Sequence, residues 1–451
     1  MSRRYKALPC AMTIAGSDSG GGAGVEADLK TFSALGVYGT CVVTAVTAQN
    51  TLGVYGIHPI PPDFVRRQIE AVMEDVGVDA AKTGMLYSGE VVMVVSEAID
   101  KYDLRVVVDP VLRAGSGDLL MRVEDVEALR ECMVPRATVL TPNRYEAEVL
   151  SGVEIGGLRE AEEAARELAR LGAEAVVLKG GHLEGEVVHD ILYYDGRFRS
   201  FEKPRFDLEP HGGGCVFSAA IAGYLALGED IPGAVERAEV LIQDALRFSF
   251  RVGGGRRPVN PLASLYNDAE KFHVLEEVRR ASKLIEGDVR FLPYIAEVGT
   301  QVAMALPYAS GRSDVAAVEG RIVKLHVSSR AVGPVEFGAS RHMANVILTA
   351  MRHNPNVRAA LNLHYDPKLV EAFKRAGFTV SMFDRSLEPV EVKAVEGRTL
   401  RWGVEEAIKR AGCVPDVIYD LGEVGKEPMI RVLGRTATEV VSKALKAIAE
   451  L

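Results

Sequence analysis

Five short Val-rich runs punctuate the first 260 residues: AMTIAG (11–16), TCVVTAVTA (40–48), RVVVDP (105–110), ATVLTPN (137–143) and AEAVVLKGG (173–181). Each is apolar without interruption instead of alternating, which suits strands buried on both faces of a parallel sheet. Between them lie stretches such as GVEADLKTFSALG (24–36) and REAEEAARELARLG (159–172), with apolar residues three and four apart. Strand–helix alternation of this kind predicts a doubly wound α/β/α sandwich. VVHDILYYDGRFRSFE (187–202) reads instead as a hairpin turning at Asp195-Gly196.

The alternation breaks at VGGGRRPVNP (252–261), a glycine- and proline-rich stretch that reads as a linker. A chain of 451 residues also exceeds what one core usually serves. The expected domains are 1–260 and a second, smaller α/β domain over 266–451, with no repeat relating them. A net charge of −9 argues against a non-specific nucleic-acid binder. Five scattered cysteines without CxxC spacing argue against a disulfide framework or structural zinc, and fit a reducing cytoplasm. The N-terminus has no long apolar segment, and no run approaches the roughly 20 residues needed to span a bilayer. The expectation is a cytoplasmic protein with small-molecule partners, no nucleic acid and no membrane.

Two glycine-rich stretches carry the chemistry of the first domain. Gly22 to Ala27 fit G-x-G-x-x-A, but the acidic residue that fingerprint needs about 20 positions on is absent, so NAD or FAD is disfavoured. No Walker-A loop is present. In EPHGGGCVFSAA (209–220), Gly212, Gly213 and Gly214 precede an apolar helix, where amides without a neighbouring Cβ can receive an anion. Cys215 in that first turn has two readings: a thiolate stabilised by the helix, or a small core residue.

GSDSGGGAGVEADLKTFSALGVYGT, TAVTAQNT, AAKTGML, DPVL, TPNRYEAE, LKGGH and HGGGCVFSAA occur in order and together resemble the hydroxymethylpyrimidine/phosphomethylpyrimidine kinases of the ribokinase-like superfamily. The resemblance covers about residues 10–250. It implies ATP and Mg²⁺ as cofactors and makes Cys215 the base that takes the substrate proton. It makes Gly212, Gly213 and Gly214 the anion hole and places Gln49, Gly16 and Met85 around the aminopyrimidine. Asp109, Asn143, Glu146 and Lys179 fall in its nucleotide and magnesium network, with Asp109 and Glu146 reaching the metal directly or through water. The chain departs from the pattern at Gly213 and Val216, where relatives carry threonine, and at Gly115, where many carry lysine.

In the second domain, EVGTQVAMALPYA (297–309), DVAAVEGRIV (314–323), FGASRHMANVILTAMRHNPNVRAALNLHYD (337–366) and PDVIYDLGEVGKEPMIRVLGR (415–435) resemble the archaeal-type thiamine-phosphate synthase domain. That reaction displaces pyrophosphate, so cations should dominate the site. The resemblance points to Arg321 and His342 on the phosphates, Arg341 and Lys426 beside them, and Asp314 or Asp420 on a magnesium ion. Together the domains imply a bifunctional enzyme. It would phosphorylate hydroxymethylpyrimidine twice, then join the pyrophosphate to thiazole phosphate, most naturally as a homodimer. The alternatives are a thiamine-phosphate-sensing second domain, or a pyridoxal-type kinase in the first.

Overall fold

The structure is a computed structural model and describes residues 8–115, 117–182, 187–393 and 398–451. It divides into two compact units, Met1–Ser264 and Leu265–Leu451.

The first unit is built on a nine-stranded sheet in the order Val54–Pro59, Tyr38–Gln49, Cys10–Asp18, Ala80–Thr83, Val106–Val108, Val139–Leu140, Ala175–Leu178, Val187–Tyr194 and Arg197–Pro204. The strands from Tyr38–Gln49 to Ala175–Leu178 run parallel, and the outer ones are antiparallel. Val-rich strands take the centre because both faces are covered: Val106 and Val108 pack into one core and Val107 into the other. Burying each such side chain contributes about 1.5–3 kcal/mol. Helix Leu158–Arg170 buries Ala161, Ala164, Ala165 and Leu168, the stripe its sequence announces. Helix Gly213–Ala226 is apolar all round because Val216 to Ala226 are all buried.

Two strands escape the periodicity argument. Val54–Pro59 is an exposed edge with no apolar run, and Ala80–Thr83 carries the fully buried Lys82 in its middle. The expected linker at 252–261 needs correction. Arg257–Pro258 pairs in parallel with Pro210–His211, Val259 and Asn260 are buried, and a Cβ at Gly255 would overlap the Thr51 carbonyl. The glycines there allow close packing onto Thr51; the segment belongs to the first unit.

Strand order reverses between Cys10–Asp18 and Ala80–Thr83, the topological switch point where open α/β sheets bind ligands at their strand C-terminal ends.

The second unit holds a seven-stranded sheet in the order Val335–Phe337, Val315–Val318, Val302–Ala305, Ala359–His364, Met429–Gly434, Val417–Asp420 and Val380–Met382, antiparallel except for the last pair. Alternate residues of VAMA (302–305) serve two cores: Val302 and Met304 one, Ala303 and Ala305 the other. RIVKLHVSS is a two-stranded hairpin, Ile322–Lys324 against Ser329–Ala331, and not one strand.

Candidate active site

The C-terminal ends of the parallel strands in the first unit surround a cavity of ≈ 630 Å³. That volume suits a small organic ligand. Gly16, Gln49, Met85, Asp109, Asn143, Glu146, Lys179, Gly212, Gly213, Gly214 and Cys215 all line it. Separate in sequence, they converge because each follows or ends a strand, or opens helix Gly213–Ala226.

The two glycine-rich stretches form one structure. Gly212 has φ +79°, and a Cβ there would overlap the Gly22 carbonyl; a Cβ at Gly22 would in turn overlap the His211 ring. Only glycine lets these backbones touch. Asp18 ties the loops together, accepting from the amides of Gly20, Gly22 and Ala23 at 2.8, 3.0 and 2.9 Å and meeting His211 Nε2 at 2.8 Å. Burial alone would raise the Asp18 pKa, but His211 and the amides outweigh it and hold the carboxyl below its usual range. The Gln49 amide nitrogen stands 3.4 Å from the same His211 nitrogen.

Behind the glycine turn runs a row of charges. Lys179 Nζ is 2.9 Å from Asp109 Oδ1, and a Cβ on Gly214 would lie 3.3 Å from that ammonium. Burial opposes the charge on Lys179, yet Asp109 and Glu146 outweigh it and raise its pKa. Burial pushes Glu146 up to about 7. Burial likewise pushes the Cys215 thiol up to about 11, against the pull of Lys82 and the Gly24 amide.

The N-x-x-E motif forms a capping box: Asn143 Oδ1 accepts from the Glu146 amide at 3.0 Å and Glu146 Oε2 from the Asn143 amide at 2.8 Å. Asp109 meets Thr141, Lys179 and Ser218. Among the described residues no group of three His, Cys, Asp or Glu side chains could hold a metal. Asp109 and Glu146 both line the cavity, and their carboxylates suit a hydrated magnesium ion.

In the second unit, Arg321 has a left-handed backbone, φ +75°, and its guanidinium donates to the Val298 carbonyl. Such strain costs about 1–3 kcal/mol and marks sites where geometry matters. Glu427 accepts from the Glu297 and Val298 amides at 2.9 and 3.2 Å, so the turn bearing Lys426 meets the same loop as Arg321. Arg341 and His342 occupy the first turn of helix Arg341–His353, which Ser340 caps. Cations at a helix N-terminus oppose its dipole, so this turn favours an anion beside it.

The two aspartates named for a magnesium ion are each held by protein donors. Asp314 Oδ2 accepts from the Ser310 and Gly311 amides at 2.7 and 3.1 Å and caps its own turn. Asp420 is fully buried between Arg385 Nε at 2.6 Å and Arg431 Nη1 at 2.7 Å, with the Gly422 amide at 2.9 Å. Burial alone would raise its pKa; the two guanidiniums outweigh that and lower it. Both carboxylates accept from protein donors in this structure.

Comparison with known proteins decides the family. Residues 18–260 match the phosphomethylpyrimidine kinase family and residues 277–446 the thiamine-phosphate synthase ThiN family. The bifunctional thiamine biosynthesis protein ThiDN of Methanocaldococcus jannaschii is 35% identical over 435 residues, 96% of either chain. The chain belongs to the ThiDN family. It joins a phosphomethylpyrimidine kinase domain to a thiamine-phosphate synthase domain. The hydroxymethylpyrimidine/phosphomethylpyrimidine kinase of Bacillus subtilis is 44% identical over 57% of this chain and 95% of its own length. Among solved structures, an ADP complex of B. subtilis pyridoxal kinase aligns with a TM-score of 0.53 at 38% identity, over 57% of this chain and 99% of that one. Staphylococcus aureus pyridoxal kinase with AMP-PCP and pyridoxal aligns with a TM-score of 0.53 at 33% identity, over 57% and 94%. The kinase unit therefore has the ribokinase-like fold, shared with kinases solved with ADP or AMP-PCP bound.

Three residues of the kinase unit became visible only in the fold. Asp18 and Lys82 line the cavity, the first hidden among serines and glycines, the second inside a strand. Arg256 also lines it, and its Nη1 lies 2.8 Å from where a Cβ on Gly115 would stand. A guanidinium from the 252–261 segment thus stands against the backbone of Gly115 at the cavity. Val216 has its side chain in the core, not the cavity, so its lost hydroxyl removes nothing from the ligand site.

Proposed function

We propose that the kinase unit phosphorylates hydroxymethylpyrimidine and then its monophosphate, and that the synthase unit condenses the pyrophosphate with thiazole phosphate to give thiamine phosphate. One observation carries the kinase half: both glycine loops, Lys179 and Cys215 line one cavity at the strand C-terminal ends. Cys215 as thiolate takes the proton of the substrate hydroxyl while that oxygen bonds to the γ-phosphorus. The bond to the β–γ bridging oxygen breaks, and ADP leaves. Amides of Gly213 and Gly214, the Lys179 ammonium and Arg256 face the charge on the transferring group. Gln49 offers both a donor and an acceptor to an aminopyrimidine edge. A magnesium ion would be held through water by Asp109 and Glu146 and would supply charge neutralisation on the triphosphate.

The synthase half rests on Arg321 held in a strained backbone and on Arg341 at a helix N-terminus, cations fit to neutralise a departing pyrophosphate, with His342 beside Arg341 as a further hydrogen-bond donor. The test is a single incubation of the purified chain with hydroxymethylpyrimidine, ATP, Mg²⁺ and thiazole phosphate. Thiamine phosphate is the expected product, and its absence overturns the reading. Because the solved neighbours include pyridoxal kinases, pyridoxal is the competing alcohol, and the ratio of kcat/KM for the two substrates decides between them. Assembly as a homodimer belongs to the same reading; light scattering on the full chain should give twice the mass of one copy.

A further inference from the structure

One charged pair at the cavity has no part in the phosphoryl transfer described above. Lys82 Nζ is 2.7 Å from Asp28 Oδ2, and both side chains are completely buried, the lysine from a central strand and the aspartate from helix Gly24–Ala34. Asp28 Oδ2 also accepts from Thr13 Oγ1 at 2.6 Å, while Asp28 Oδ1 has no partner. A buried pair of this kind adds little stability over apolar residues of the same size, and an orphaned carboxylate oxygen makes it worse than neutral. Packing alone does not explain it. Strand Ala80–Thr83 and helix Gly24–Ala34, which carry the pair, both pack against helix Gly213–Ala226, which carries Cys215 in its first turn, and Lys82 and Cys215 line the same cavity.

We propose that Lys82, anchored by Asp28, is the positioning residue that balances the negative charge on Cys215 when the sulfur acts as base. Other charges face this thiol from the neighbouring strand ends, Asp109 from Val106–Val108 and Lys179 from Ala175–Leu178, with Glu146 beyond them. The Gly24 amide also points at the sulfur. Of these, Lys82 exerts the largest pull toward the thiolate. Burial would strip Lys82 of its proton, but Asp28, Cys215 and Asp109 outweigh burial and hold it as an ammonium far above the working pH. Asp28 therefore fixes the ammonium and at the same time works against the thiolate, whose pKa it raises. Removing one partner or the other should move Cys215 in opposite directions.

This inference rests on Cys215 being the base, and the test separates the two. Cys215 alkylation by iodoacetamide is followed against pH on the full chain, by mass spectrometry of the peptide that contains it. Lys82→Met should raise the pH midpoint by about 1–2 units, and Asp28→Asn should lower it by a comparable amount. A purely structural pair would shift neither midpoint, or both in the same direction, and either result overturns the proposal. If Lys82→Met does not fold, the downward shift in Asp28→Asn decides alone. Kinase kcat at pH 7 should fall at least 10-fold in Lys82→Met while KM for ATP changes less than threefold, since the ammonium acts on the base and not on the nucleotide (about 1 pKa unit being tenfold in thiolate). A Cys215→Ala variant with wild-type kinase rate would sink the base reading itself, whatever the titrations show.

Discussion

Residue by residue, the site is a balance of cations, amides and one thiol. Cys215, pushed up to about 11 by burial, is mostly protonated at neutral pH. Kinase kcat/KM should therefore rise close to tenfold per pH unit between about pH 7 and 9, and a flat profile would argue that no base of this kind limits the rate. Arg256 should act on the nucleotide: Arg256→Ala should raise KM for ATP about 10-fold with little change in the pyrimidine KM, measured by initial rates. Gly213 has room for a side chain, with only Pro210 Cβ at 4.0 Å from where its own Cβ would stand, so Gly213→Thr should fold and lower KM for ATP. In the synthase unit, Asp420→Ala leaves Arg385 and Arg431 unbalanced in the interior. It should destabilise that unit by about 3–5 kcal/mol in chemical denaturation.

At the scale of elements, legibility followed burial. Strands such as Val106–Val108 were plain in the sequence because two covered faces demand an unbroken apolar run. Ala80–Thr83 is just as central, but its Lys82 hides it: the ammonium is buried only because Asp28 waits on a helix 54 positions earlier. The segment at 252–261 read as a linker because glycine serves flexibility and close packing alike, and only Thr51 tells them apart. The same contact logic carried Arg256 into the cavity, beyond the reach of any local motif. Helix Ile231–Arg247 holds a further buried group. Burial and Asp190 push Glu239 up to about 8 beside Lys203, above its ordinary 4.5. A carboxyl raised in the folded state contributes stability present in full below about 4.5 and lost as pH climbs toward 8. The kinase unit's Tm should fall over that window, and Glu239→Gln should flatten the slope.

Across the whole molecule, the family assignment joins two chemistries in one chain, the product of one unit being the substrate of the other. How much of that was legible differs between the halves. Six of the seven kinase motifs end or follow strands of one sheet and the seventh opens helix Gly213–Ala226 at the same cavity, so their order in the sequence became proximity in the fold. In the synthase unit, the acidic residues near the motifs turned out to cap a turn or neutralise arginines, since a carboxylate in sequence does not reveal which donors surround it. The most direct test of the account is one variant in two assays. Cys215→Ala should make no thiamine phosphate from hydroxymethylpyrimidine and ATP, yet condense supplied pyrimidine pyrophosphate with thiazole phosphate at the wild-type rate. Wild-type phosphorylation by that variant would contradict the account.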